Sequence, residues 1–93
     1  MFVVRDADGY VYKELKTPTV VYDKEFFQLL CIGEPEQMED VFYRMKKRYI
    51  DKGKQRTAGD ICMLELPKKQ EIIDKVWQSD GAYLSQITQK DYE

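Results

Sequence analysis

The chain contains no histidine, which removes Ser-His and Cys-His nucleophile pairs and the commonest nitrogen ligand for zinc. Its two cysteines, Cys31 and Cys62, stand 31 positions apart, without the close ligand spacing of a structural zinc site. Both lie in apolar runs, where a thiol stays protonated and inert, so neither reads as a catalytic nucleophile. With no signal peptide ahead of them they read as buried thiols in a reducing compartment, the cytoplasm being the default; a disulfide between them is the alternative. No apolar run approaches the roughly 20 residues that span a bilayer, and no lipidation signal is present, so a membrane role is not expected. Neither sign of charge dominates. Lys plus Arg total 15 against 17 Asp plus Glu, a net charge of -2, which argues against a strongly basic nucleic-acid binder and a heavily acidic DNA mimic as whole-molecule descriptions. Only local charge is left to matter. There is no internal repeat, low-complexity block or linker, and 93 residues support one domain over 1–93 that buries about 60 to 65 per cent of its unfolded surface.

The most informative stretch runs from Pro35 to Leu66. Met38, Val41, Phe42, Met45 and Tyr49 recur at the i, i+3, i+4, i+7 spacing of one helical face, so an amphipathic helix is predicted over about 35–52. Pro35 suits its first position, where a missing N–H costs nothing. Glu34, Glu36, Glu39 and Asp40 crowd the positive end of the dipole, and Arg44, Lys46, Lys47 and Arg48 fall toward the negative end. Gly53 provides a left-handed cap, and Lys54 to Ala58 reads as a loop. Beyond it, Ile61 to Leu66 is a short apolar run closed by Pro67, read as a buried central strand with Cys62, Leu64 and Leu66 on one face and Ile61, Met63 and Glu65 on the other.

The remaining chain is predicted to form the rest of an α+β domain with a sheet of about four strands and the long helix across it. Met1 to Arg5 and Tyr10 to Leu15, joined by Asp6-Ala7-Asp8-Gly9, read as a β-hairpin. Thr19 to Tyr22 follows Pro18 as an edge segment or an extended connection. Glu25 to Ile32 fits strand or helix; its aromatic content and length favour strand, although Asp23 resembles a helix cap. Lys68 to Gln78 is equally open, with Ile72, Ile73, Val76 and Trp77 at helical spacing favouring a second helix opened by Pro67. Ala82 to Ile87 reads as a last strand, and 88–93 as a polar tail that frays.

Chemistry-bearing residues are few, and nothing calls for a cofactor or a metal. Asp6-x-Asp8-Gly9 echoes a calcium loop, but placing Gly9 sixth puts Val4 first and Leu15 last, where carboxylates are required; a hairpin turn fits better. The stronger signal is basic. Arg44, Lys46, Lys47, Arg48, Lys52, Lys54 and Arg56 put seven cations within 13 residues, with Asp51 the only acid among them. Such a segment meets an acidic protein surface or, as second choice, phosphates; equally, it is a solvated face whose cations complement the helix dipole. Tyr43 projects away from the apolar stripe beside Arg44, and exposed tyrosines next to arginines serve as interface anchors. The candidate partner-binding set is therefore Tyr43, Arg44, Lys47, Arg48, Lys52, Lys54 and Arg56. Tyr10 and Tyr12 share a face of the hairpin strand and either anchor a partner or pack on the helix, while Trp77 reads as core or interface anchor.

Two segments carry a resemblance. Met38-Glu39-Asp40-Val41-Phe42-Tyr43-Arg44-Met45 and Arg56-Thr57-Ala58-Gly59-Asp60-Ile61 resemble the helix start and the strand entry of the YodL-like proteins of Gram-positive conjugative transposons and prophages. Tyr83 to Ile87 is similar to that family's closing segment, so the resemblance covers roughly half the chain, residues 38–87. It implies a small accessory protein of a phage or mobile element, a setting in which proteins of this size often inhibit host defence, such as a CRISPR effector or restriction nuclease, by binding a defence protein. It implies no catalytic residue and favours strand at Phe26 to Ile32. The expected function is non-catalytic protein binding; a nucleic-acid-binding regulator using 44–56 and a structural homodimer are the alternatives.

Overall fold

The computed structural model describes residues 1–51 and 60–93. Strands β1 (Phe2–Arg5) and β2 (Val11–Leu15) form the predicted antiparallel hairpin. Its turn is closed by the Asp6 carboxylate, whose Oδ1 accepts from the backbone N–H of Asp8 at 3.0 Å and of Tyr10 at 2.9 Å. Gly9 takes φ 88, a left-handed conformation that costs glycine little. The ladder slips between Val4 and Arg5, leaving Tyr12 as the bulged residue on β2.

The second sheet has the order β4-β3-β5, built from β3 (Thr19–Asp23), β4 (Gln28–Gly33) and β5 (Ile61–Glu65), all antiparallel. The α+β class therefore holds, and among the described residues five strands in two sheets stand in place of a single sheet of about four. Thr19 to Tyr22, read as an edge or a connection, is the central strand, and Ile61 to Glu65, read as central, is an edge. Burial explains the exchange: adjacent Val20 and Val21 are both 0% exposed, one packed in each of two separate cores, so β3 is covered on both faces. On β5, by contrast, Met63 is exposed. Residues 28–33 are strand, and the resemblance of Asp23 to a helix cap is a turn instead: its Oδ1 accepts from Glu25 N–H at 2.9 Å.

One face of this sheet carries α1 (Pro35–Asp51). Met38 is buried against Val21 and Ile61, and Val41, Phe42 and Met45 pack around them half-buried, as the stripe predicts. Helix α1 is described through Asp51; the Gly53 cap and the loop at 54–58 lie outside the described residues. The Glu34 side chain turns away from the helix, its Oε1 accepting from Lys16 and Thr17 N–H at 2.6 and 3.2 Å, which ties the end of the hairpin to the start of α1.

The larger core lies on the other face. There α2 (Gln70–Gln78) sets Ile72, Ile73 and Val76 against Val20, Ile32 and Leu66, together with Val4 and Leu15 of the hairpin. The second helix is real but starts at Gln70, after an extended Lys69; Pro67 packs in the interior and does not open it. Helix α2 also covers the outer edge of β1. The Gln70 amide donates to Val3 O at 2.7 Å and accepts from Val3 N–H at 2.9 Å, and Trp77 Nε1 donates to Arg5 O at 2.7 Å.

The strand predicted at Ala82 to Ile87 is a 3-10 helix, Ala82–Gln86, in which only Leu84 is buried. Among the described residues a strand has no neighbour to join there, because the turn before it is fixed to the start of β4, where Leu29 N–H donates to Asp80 O at 3.1 Å, and caps α2, where Gly81 N–H donates to Val76 O at 3.1 Å. In place of a fraying tail, Gln89–Tyr92 forms a second 3-10 helix whose Thr88 and Asp91 make a capping box. Tyr92 then donates its hydroxyl to Glu65 O at 2.6 Å.

Two predictions follow from this packing. At Gly81, with φ 91, an added Cβ would meet Phe27 O at 2.3 Å, whereas at Gly9 nothing lies within 4 Å. Gly81→Ala is expected to cost about 3 kcal/mol and Gly9→Ala about 1 kcal/mol, measured as urea midpoints. Separately, burial raises the Tyr92 phenol above its ordinary 10.0, with Glu65, Tyr22 and Asp91 adding to the shift. The folded state therefore holds this proton more tightly, so the contribution is complete below the unfolded value and fades as pH rises through the raised one. Tyr92→Phe should cost about 0.5 to 1 kcal/mol near neutrality and should flatten the alkaline decline, which denaturant titrations on either side of pH 10 would detect.

Candidate functional site

On α1 the apolar stripe faces the sheet, and this forces Tyr43, Arg44, Lys47 and Arg48 outward. These positions, spaced i, i+1, i+4 and i+5, form one patch on a helix surface. Tyr43 is 62% exposed, its ring set edge-on to Phe42 at 5.6 Å between centroids, which holds the phenol at a fixed angle to the helix. Lys47 and Arg48 are exposed, and among the described residues neither has an ion-pair partner. Arg44 differs: its Nη2 lies 3.0 Å from Asp40 Oδ2, with side-chain exposures of 78% and 60%. A pair this exposed is worth little, but it offsets part of the Arg44 charge. Lys46 is drawn aside as well, its ammonium 4.3 Å from the centre of the Phe42 ring. Lys52, Lys54 and Arg56 lie outside the described residues. Of the seven candidate residues, the structure therefore gathers Tyr43, Arg44, Lys47 and Arg48.

A second surface escaped the sequence. The hairpin and the larger sheet do not join edge to edge; β2 and β4 instead flank a groove of about 280 Å³. Tyr12 and Trp77 stack at its mouth with centroids 5.8 Å apart and planes 20° from parallel. Lys13 crosses it, its Nζ donating to Ile32 O at 2.6 Å while lying 5.5 Å from the centre of the Tyr12 ring. Leu29 and Leu30 line the opposite wall, with the Ile32 carbonyl between them and Lys13. Among the described residues Tyr12 packs on Trp77 and not on α1, and Tyr10 is exposed. The strand begins at Val11, and the bulge re-aims Tyr12 toward α2, which leaves Tyr10 in the exposed turn. Trp77 is half-buried and flanks a further open cleft of about 530 Å³ beside Arg5, Asp6 and Asp74. A stack of Tyr12 on Trp77 across 65 positions leaves no local signal; only the unexplained aromatic pair Tyr10 and Tyr12 hinted at it.

Cys31 and Cys62 are not joined in a disulfide and are only half-buried, on strands separated by β3, which corrects the expectation of buried thiols. Among the described residues no group of His, Cys, Asp and Glu is placed to hold a metal, and no helix is long and apolar enough to cross a membrane. Charge contact, stacking and hydrogen bonding are what the two surfaces offer. No protein-family model matches the chain, and comparison with curated proteins and with solved structures returns no match.

The Tyr12–Trp77 pair yields a direct test of geometry. Trp77→Phe keeps the stack but removes the donor to Arg5 O, and should cost about 1 kcal/mol, or a fall of about 4 to 8 °C in Tm for a chain of this size. Scanning calorimetry of the purified variant is the measurement; an unchanged Tm would mean that this hydrogen bond adds nothing to hairpin docking.

Proposed function

We propose that the chain is a non-catalytic protein-binding accessory factor of a phage or mobile element, which blocks a partner's site by occupying it. The observation that carries this reading is the outer face of α1: a ring-braced, exposed Tyr43 beside the cations Lys47 and Arg48. A rigid aromatic among positive charges is what an acidic protein surface selects as an anchor. The resemblance of residues 38–87 to YodL-like proteins supports the mobile-element setting, and with it inhibition of a host defence system such as a CRISPR effector or restriction nuclease.

A nucleic-acid-binding regulator is the second reading, favoured by the density of cations from Arg44 to Arg56 in the sequence. Against it stand the partial neutralisation of Arg44 by Asp40 and a net charge of -2, which adds no long-range attraction for phosphates. A homodimer through a sheet edge has less support, since Gln70 and Trp77 cover β1 and Tyr92 reaches the outer edge of β5.

Affinity capture from bacterial lysate with the wild type and with a Tyr43→Ala, Lys47→Glu, Arg48→Glu variant tests the proposal. The variant should retain at least about tenfold less of the partner while remaining folded, with a thermal midpoint lowered by about 5 to 10 °C, since reversing Lys47 and Arg48 near the negative end of α1 and losing the Tyr43–Phe42 contact cost on the order of 1 kcal/mol. Identical capture by both proteins would remove the α1 face from the mechanism. Raising salt from 50 to 200 mM then separates the two readings: a polynucleotide complex loses on the order of 10³ in affinity, a tyrosine-anchored protein complex far less.

A further inference from the structure

We propose that the groove between β2 and β4 is a binding site for a small aromatic carboxylate, held by Lys13 and stacked against Tyr12 and Trp77. This inference is independent of the α1 face and goes beyond protein binding. Three observations converge on it.

Both walls are bulged where they meet the groove. The register of β1 with β2 slips at Tyr12, and that of β3 with β4 slips at Leu30, and both bulged residues line the groove, Leu30 while also packing on the smaller core. Bulges re-aim side chains and recur beside functional sites.

The polar equipment is sparse and suited to an anion. Lys13 Nζ spends one donor on Ile32 O at 2.6 Å, and an ammonium carries three. The remaining donors sit between the Tyr12 ring and an apolar wall of Leu29 and Leu30, where partial desolvation strengthens a charge-assisted bond. An aromatic wall, an apolar wall and one fixed charge are the usual makings of a small-molecule site.

The occupant is small, not an added peptide strand. The outer edge of β4 is already engaged on both sides of its bulge, by Asp80 O, which accepts from Leu29 N–H at 3.1 Å, and by Lys13 on Ile32 O. An extended peptide seeking a backbone ladder finds those positions taken. A volume of about 280 Å³ falls at the lower limit of ligand pockets, enough for a single ring with a short acid arm. Asp80, at the rim, disfavours a second negative group, so a monocarboxylate is preferred to a phosphate or a dicarboxylate.

The chain has one tryptophan, and it borders both this groove and the cleft beside Arg5, so its emission reports occupancy of either without a label, and the Cys31 and Lys13 readouts assign it to the groove. The Cys31 thiol gives a second readout, because its Sγ lies 3.9 Å from the Ile32 carbonyl that Lys13 binds, while Cys62 lies on a different strand and serves as internal control. The probes are phenylacetate and its neutral isostere phenylacetamide, titrated into the full chain. Phenylacetate should shift Trp77 emission saturably and slow iodoacetamide modification of Cys31 relative to Cys62; phenylacetamide should bind at least about tenfold more weakly. Lys13→Met should abolish that preference and Lys13→Arg should retain it; where Lys13→Met fails to fold, the acid–amide comparison in wild type and Lys13→Arg decides. Equal affinity for acid and amide, a carboxylate preference that survives in Lys13→Met, or no saturable response from either readout overturns the proposal. So does an acidic extended peptide that binds the groove while phenylacetate does not.

Discussion

Everything in this molecule hangs on the burial of β3 from both sides. Val20 and Val21 are neighbours in sequence and face opposite ways, and each is entirely withdrawn from water, so a core must exist on each face of the strand. A chain of 93 residues has little apolar material for two cores. It meets the demand unequally: α1 contributes Met38 and a half-buried rim to the smaller core, while α2, the hairpin and Leu84 assemble the larger one. The amphipathic character of α1 is a consequence, since one side must close over Val21 and Ile61, and the opposite side is left to carry Tyr43, Lys47 and Arg48.

The sequence was legible wherever one local rule decided the outcome. The 3.6-residue spacing of Met38, Val41, Phe42 and Met45 named α1, and Asp6 to Gly9 named the hairpin turn. It misled where the same chemistry serves two structures. Asp23 binds a backbone N–H two residues ahead, much as a cap does, yet it closes a β-turn. Ala82 to Ile87 has strand-like composition, but strand pairing is tertiary, and a left-handed Gly81 seated on Phe27 O leaves this segment no ladder to join. The assignment of centre and edge was inverted for a related reason: alternation tells which residues share a face, and only packing tells whether both faces are covered. Half of the candidate site was readable, since helix periodicity alone puts Tyr43, Arg44, Lys47 and Arg48 together. The withdrawal of Lys46 to the Phe42 ring, and the groove at Tyr12 and Trp77, depend on rotamers and on contacts across 65 positions, which no window along the chain contains.

The two surfaces differ in kind. The α1 face is convex and cationic, with its aromatic residue exposed and braced by Phe42, and suits contact with another macromolecule. The groove is concave, with its charge held between rings and aliphatic side chains, and suits a ligand of ring size. They belong to different layers: the first rides on the helix over the smaller core, and the second opens where the hairpin leans against β4. Glu34 connects them, because its backbone starts α1 while its carboxylate holds the Lys16 and Thr17 amides at the end of β2.

The clasp of Gln70 and Trp77 on β1 joins residues 67 and 72 positions apart. Such distant partners meet only after most of the chain has been gathered, and the entropy of that closure is spent before the contact returns anything. The amino-terminal ribbon should accordingly be the last piece secured during folding and the first to come loose, so that in amide exchange Val3 and Arg5 would trade their protons well before Val20 and Val21.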